Sequence, residues 1–136
     1  MYLIFLLFTA TIPPQLNVAT ADVRVRAGET AVLTCVVDYL GAHQLTWHKG
    51  QNTVLAVDEK LIYSDRRMAV GRPSIRTWEL RIQNTTRRDA GEYFCVINSR
   101  DLPSGKISLV VEGLFFNLAY ETYSIICYVF RTSSHC

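Results

Sequence analysis

The sequence predicts an all-β fold, a sandwich of two sheets with about nine strands, on three observations. Two cysteines, Cys35 and Cys95, stand far apart, with Trp47 shortly after the first. The run Asp89-Ala90-Gly91-Glu92-Tyr93-Phe94-Cys95 puts a tyrosine two places before the second. Between and beyond these residues, apolar side chains alternate with period two, the pattern of half-buried strands. Each part has a mechanical role in a variable-type immunoglobulin sandwich. The cysteines bridge facing strands of the two sheets, the indole packs on the bridge, and the tyrosine hydroxyl returns to the backbone at a strand corner.

The elements follow in order. Val23 and Val25 alternate with charged neighbours before a turn at Gly28. Ala31, Leu33 and Cys35 point inward on the next strand, and Leu45 and Trp47 on the one after. Gly50-Gln51-Asn52 forms a hairpin turn, followed by a short strand over Val54–Val57 and an edge strand over Leu61–Tyr63. Met68 and Val70 open a further strand. Trp78, Leu80 and Ile82 alternate on a well-marked strand, with Trp78 in the core. Tyr93, Cys95 and Ile97 face inward on the next, and Ile107, Leu109 and Val111 on the last. The long stretch between Trp47 and Trp78 leaves room for two extra edge strands, the variable-type arrangement.

A chain of 136 residues supports one such domain with a segment left at each end. The expected organisation is a signal peptide over 1–21, the sandwich over 22–112 and an atypical apolar tail over 113–136. Leu3–Phe8 is an apolar core of signal-peptide length, and Ala19-Thr20-Ala21 fits a cleavage site. Pro14–Thr20 has an alternative reading as a first strand. The tail is apolar but interrupted by Asn117, Glu121 and Thr122 and ends on Arg131–Cys136. It reads as an alternative carboxyl terminus ahead of a membrane-associated segment, and membrane attachment is left open. A Cys35–Cys95 bond closes a loop of about 60 residues, worth roughly 4 kcal/mol, and persists only outside the cytosol. The expected location is therefore secreted or on the extracellular face of the plasma membrane.

Net charge is +2, too small to call for nucleic acid. His43, His48 and His135 lack metal-ligand spacing, and Cys127 and Cys136 do not complete a zinc set. No nucleophile triad and no phosphate loop stands out. The expectation is a non-enzymatic chain with no cofactor and no metal.

From Gly28 to Val111 the chain resembles the first immunoglobulin domain of the lachesin, IgLON and Dpr–DIP cell-surface adhesion family. The resemblance rests on Gly28–Cys35, Leu45-Thr46-Trp47, Thr53–Val57, Arg67, Thr77–Asn84 and Asp89–Asn98. It implies a neuronal or epithelial adhesion receptor whose partners are other immunoglobulin-domain surface proteins, including a second copy of itself. It implies pairing through the sheet bearing the extra strands. The chain departs from the family at about Gly113, where a second domain is expected. It also departs at Thr85, which is usually apolar, and at Val96, which is often glutamine.

Strand alternation puts Thr46, His48, Phe94, Val96 and Asn98 on the outward face of that sheet. The resemblance adds Val54, Ala56, Leu61 and Tyr63. Arg24 is expected on the opposite sheet. Apolar side chains on a face turned to water mark an interface. The alternative is a soluble secreted decoy or immune binder acting through its loops. Arg67 and Asp89 are expected to form a structural salt bridge at the base of the sandwich. Asn84-Thr85-Thr86 is a glycosylation sequon near a turn, with Asn84 as the acceptor or simply a turn residue. If Thr85 occupies the usual apolar site, its hydroxyl needs a partner.

Overall fold

The computed structural model describes residues 12–113, which form ten strands in two sheets. β1 is Gln15–Val18, β2 Asp22–Arg26, β3 Ala31–Asp38, β4 Leu45–Lys49 and β5 Thr53–Val57. β6 is Lys60–Leu61, β7 Met68–Gly71, β8 Thr77–Ile82, β9 Gly91–Ile97 and β10 Ser104–Glu112. One sheet has the order β1-β3-β8-β7 and the other β2-β10-β9-β4-β5-β6. Neighbours pair antiparallel except β2, which runs parallel to β10. Two edge strands, β5 and β6, extend the second sheet, as the length between Trp47 and Trp78 predicts.

The alternation read from the sequence is the alternation of burial. β3 runs buried, half-buried, buried from Ala31 to Asp38, and every inward position expected on β4, β8, β9 and β10 is buried. Cys35 and Cys95 are disulfide-bonded across the two sheets, with Cα atoms 6.8 Å apart. Trp47 is fully buried beside Leu33, Tyr93 and Ile107 in one continuous core. Trp78 is in that core too, and the Arg72 guanidinium lies 4.3 Å from its ring centroid on the outer side.

The alternative reading of Pro14–Thr20 as a first strand has its counterpart in β1. Gln15–Val18, inside the stretch read as leader, is a strand of the sandwich and pairs antiparallel with β3 from Gln15↔Asp38 to Val18↔Cys35. Residues 1–11 of the expected signal peptide and 114–136 of the expected tail lie outside the described residues, as do Cys127 and Cys136. Arg24 is also relocated. β2 belongs to the six-stranded sheet, where Arg24 pairs in register with Val110 and forms an ion pair with Glu112 at 3.7 Å. The chain crosses between sheets after Val18, a switch the apolar pattern does not encode because both short strands alternate in the same way.

The reason β1 is integral shows at Gly105. This residue is buried on β10 with no side chain, and Leu16 and Val18 fill the space. A Cβ there would stand 2.6 Å from Val18 Cγ1, 2.7 Å from Leu16 Cδ2 and 3.2 Å from Cys95 Sγ. The two sheets thus close over the disulfide only because position 105 is glycine. Gly105→Ala is expected to cost about 1–3 kcal/mol through overpacking. In urea melts, adding Leu16→Ala should recover part of that loss, because the Leu16 side chain is what the new methyl meets. Strict additivity of the two changes would show that the contact does not matter.

Candidate recognition face

The base of the sandwich is held by Arg67, whose guanidinium uses all five of its N–H donors. Nε and Nη2 donate to the two Asp65 oxygens at 3.2 and 2.8 Å. Nη2 and Nη1 donate to the two Asp89 oxygens at 2.9 and 2.7 Å. The fifth bond runs from Nη1 to the Asn84 carbonyl at 3.1 Å. Asp89 is buried, and it also accepts from the Thr86 N–H at 2.7 Å. Burial pushes the Asp89 carboxyl up, but the Arg67 and Thr86 hydrogen bonds outweigh it and hold the group below its ordinary range. The Arg67 hydrogen bonds hold Asp65 low as well. The Tyr93 hydroxyl donates to the Asp89 carbonyl at 2.5 Å, which closes the strand corner. Burial, with the Asp89 charge nearby, pushes the Tyr93 phenol up. The expected Arg67–Asp89 salt bridge and the roles of Trp47 and Tyr93 therefore have their geometry, and Asp65 is an addition.

The outer face of the six-stranded sheet is laid out in cross-strand rows. One row runs Ser104, Val96, Thr46, Val57 and Lys60 across β10, β9, β4, β5 and β6. The next runs Lys106, Phe94, His48 and Val54. Four of these side chains, Val54, Val57, Phe94 and Val96, are apolar, and all four are solvent-accessible. The Thr46 hydroxyl lies 2.8 Å from His48 Nε2 and donates to the Val96 carbonyl at 3.3 Å, which pins two polar side chains among them. A shallow depression of about 260 Å³ lies between His48, Gly50, Gln51, Phe94, Val96 and Ser104. Charge is confined to the margin, where Lys106 pairs with Glu92 at 3.3 Å. Asn98 is exposed at the end of β9, and its Oδ1 accepts from the Gln44 N–H at 2.6 Å.

Of the nine residues expected on this face, two face the other way. Ala56 is fully buried, in register with Trp47. Leu61 pairs with Ala56 on that same inward side and packs against the core. The cause is a bulge. His48 pairs with Val54 and Trp47 with Ala56, so Leu55 is the extra residue on β5. Leu55 and Ala56 are consecutive and both buried, which breaks the period of two and reverses every later position. Val57, which was not among the nine, is outward in their place. Tyr63 is exposed beyond the end of β6, with its N–H on the Leu55 carbonyl at 2.9 Å.

Asn84 is exposed in the turn after β8, at φ 48, a left-handed conformation that asparagine tolerates. Thr85 is buried, and its hydroxyl donates to the Glu29 and Arg26 carbonyls at 2.9 and 3.2 Å, so the polar group in the apolar site is satisfied. Among the described residues no group of three or more His, Cys, Asp or Glu is placed to hold a metal ion.

Two changes test this arrangement. Asp89→Asn should cost about 2 kcal/mol at neutral pH, since it removes the buried counter-charge of a half-buried guanidinium that keeps only Asp65. The carboxyl is held low in the fold, so its contribution is present above the unfolded value near 4 and is lost as pH falls below it. The variant's stability, followed by denaturant melts from pH 7 to pH 2, should fall less steeply in that acid range than wild type. Leu61→Asp should lower stability by about 2 kcal/mol, because the charge is forced toward the core beside Ala56. A melt unchanged from wild type would place Leu61 outward after all.

Comparison with known proteins gives the family. A family model described as an immunoglobulin domain matches residues 13–99, which also covers β1. Cell adhesion molecule 2 of Rattus norvegicus is 30% identical over 95 residues, covering 70% of this chain and 22% of that protein. Cell adhesion molecule 3 of Xenopus laevis is 31% identical over 107 residues, covering 77% of this chain and 27% of that one. The chain thus spans about a quarter of the length of these relatives. A chain in the crystal structure of Dpr2 Ig1-Ig2 in complex with DIP-Theta Ig1-Ig3 superposes with a TM-score of 0.70 at 31% identity, over 74% of this chain and 34% of that one. The Ig1 domain of mouse SynCAM 2 superposes with a TM-score of 0.65 at 29% identity, over 71% and 96%. With its bridged cysteines, buried indole, tyrosine corner and ten-strand topology, the chain belongs to the immunoglobulin-domain family.

Proposed function

We propose that this domain is a non-catalytic, extracellular recognition module that pairs with immunoglobulin domains of cell-surface proteins, a second copy of itself included. Pairing would run through the outer face of the six-stranded sheet. The observation that carries this reading is the apolar group Val54, Val57, Phe94 and Val96, which spans three adjacent strands and meets water. An exposed apolar group with charge only at its margin is what a pairing surface requires before its partner arrives. The neighbouring structures support it by their assemblies, which include a Dpr–DIP complex and a ZIG-8 IG1 homodimer.

The test places a charge at Val54, which is 39% exposed and in register with His48. Pairing would strip water from that charge against an apolar partner, so Val54→Asp should weaken binding at least tenfold, about 1.4 kcal/mol. Arg81→Ser on the outer side of the opposite sheet serves as control and should leave pairing unchanged. Surface capture against a panel of first immunoglobulin domains reads heterophilic pairing, and sedimentation reads self-association. Equal affinity for wild type and a folded Val54→Asp would dismiss the face.

A loop-binding role has its own motive. Tyr39, Ile75 and Leu102 are 58%, 79% and 62% exposed, each in a loop. Partner loss on substituting these three residues, with Val54→Asp silent, would assign recognition to the loops.

A further inference from the structure

We propose that Asn84 carries an N-linked glycan, and that its first N-acetylglucosamine lies over the depression at the pole of the domain where β10 ends. The proposal rests on the extracellular location of the reading above, but not on its pairing face. The sequon Asn84-Thr85-Thr86 is on the surface in this fold, with Asn84 and Thr86 exposed and Thr85 turned inward. The Asn84 side-chain amide makes no hydrogen bond among the described residues, while its backbone is held on both sides. Its carbonyl accepts from Arg67 Nη1, and the next N–H donates to the Glu29 carbonyl at 3.0 Å. An attached sugar would therefore leave from a fixed turn rather than from a freely moving loop.

The depression beside it has a volume of about 830 Å³ and is lined by Asn84, Ala27, Gly28, Thr85, Arg88 and Gly113 among others. The Asn84 amide already leans over it, since a Cβ on Gly28 would stand 4.0 Å from Asn84 Oδ1. Ala27, Gly28 and Gly113 offer a floor with no bulky side chain, which suits the flat face and acetamide methyl of the first sugar. Arg88 supplies N–H donors toward the sugar's oxygens. None of the residues lining the depression belongs to the Val54, Val57, Phe94 and Val96 group, so the glycan would leave pairing free.

The chemistry balances with a polyprenyl-pyrophosphate-linked oligosaccharide as donor. The Asn84 amide nitrogen bonds to C1 of the reducing sugar, the C1–oxygen bond breaks, polyprenyl pyrophosphate leaves, and the amide proton passes to base. The sequon hydroxyl is that of Thr86, and in the folded turn it donates to Asp89 Oδ2 at 3.3 Å, so transfer has to precede closure of this turn.

The full chain, placed behind a heterologous leader, would be made in eukaryotic cells restricted to high-mannose glycans. Intact mass is read on both the secreted and the cell-retained chain. One glycan is expected. Thr86→Ala should abolish it, whereas Thr86→Ser, which keeps the hydroxyl that caps the turn at Asp89, should keep it. Endoglycosidase H leaves the first sugar in place, whereas peptide-N-glycosidase F removes it. Amide exchange around Gly28 and Thr85 should be unchanged by the first enzyme and at least threefold faster after the second, and as fast in Thr86→Ala. A chain without glycan in both fractions would overturn the proposal. Exchange indifferent to the second enzyme would overturn the placement of the sugar over the pole. Pairing affinity, measured on the same samples, should be equal with and without the glycan, and its loss on deglycosylation would contradict the separation of pole and face.

Discussion

The Cys35–Cys95 bond is the constraint on which the rest of the molecule is arranged. It sets the separation of the two sheets at one point, and every inward side chain has to fill the gap fixed there. Trp47 takes the largest share, next to the bridge on β4. On the other side the bridge leaves room for nothing at position 105, and Gly105 answers by giving its space to Leu16 and Val18. A disulfide that restricts the unfolded chain thus also dictates where the first strand must lie.

A second constraint acts at the base. Arg67 gathers Asp65, Asp89 and the Asn84 carbonyl in a single planar set of donors, which a lysine could not reproduce. Asp89 in turn receives the Thr86 N–H and offers its carbonyl to Tyr93. The turn that carries the sequon and the strand that carries Cys95 are therefore anchored by one residue pair. This is a structural use of charge, and it accounts for carboxyls held low without any catalytic role.

These two constraints leave the outer face of the six-stranded sheet free to vary. None of its exposed side chains is needed by the core, so their apolar character asks for an explanation outside the domain. Thr46 and His48 satisfy each other within that face, so it can lose water with few unpaired polar groups. The proposed partner domain would account for Val54, Val57, Phe94 and Val96 together.

The sequence by itself determined the sandwich, the bridge, the tyrosine corner, the Arg67–Asp89 pair and the inward side of five strands. These follow from local alternation and from residues whose roles leave few substitutes, such as Trp47 and Tyr93. The tertiary structure alone decided three matters. It placed Gln15–Val18 within the fold, because the complement of Gly105 lies about 90 residues away along the chain and no local pattern links them. It set β2 beside β10 instead of on the opposite sheet, because two short amphipathic strands look alike until their backbone partners are known. It turned Ala56 and Leu61 inward, because a bulge is a property of pairing between two strands and not of either strand alone. One extra residue at Leu55 was enough to reassign the candidate contacts on the edge of the face, since side-chain direction has a period of two.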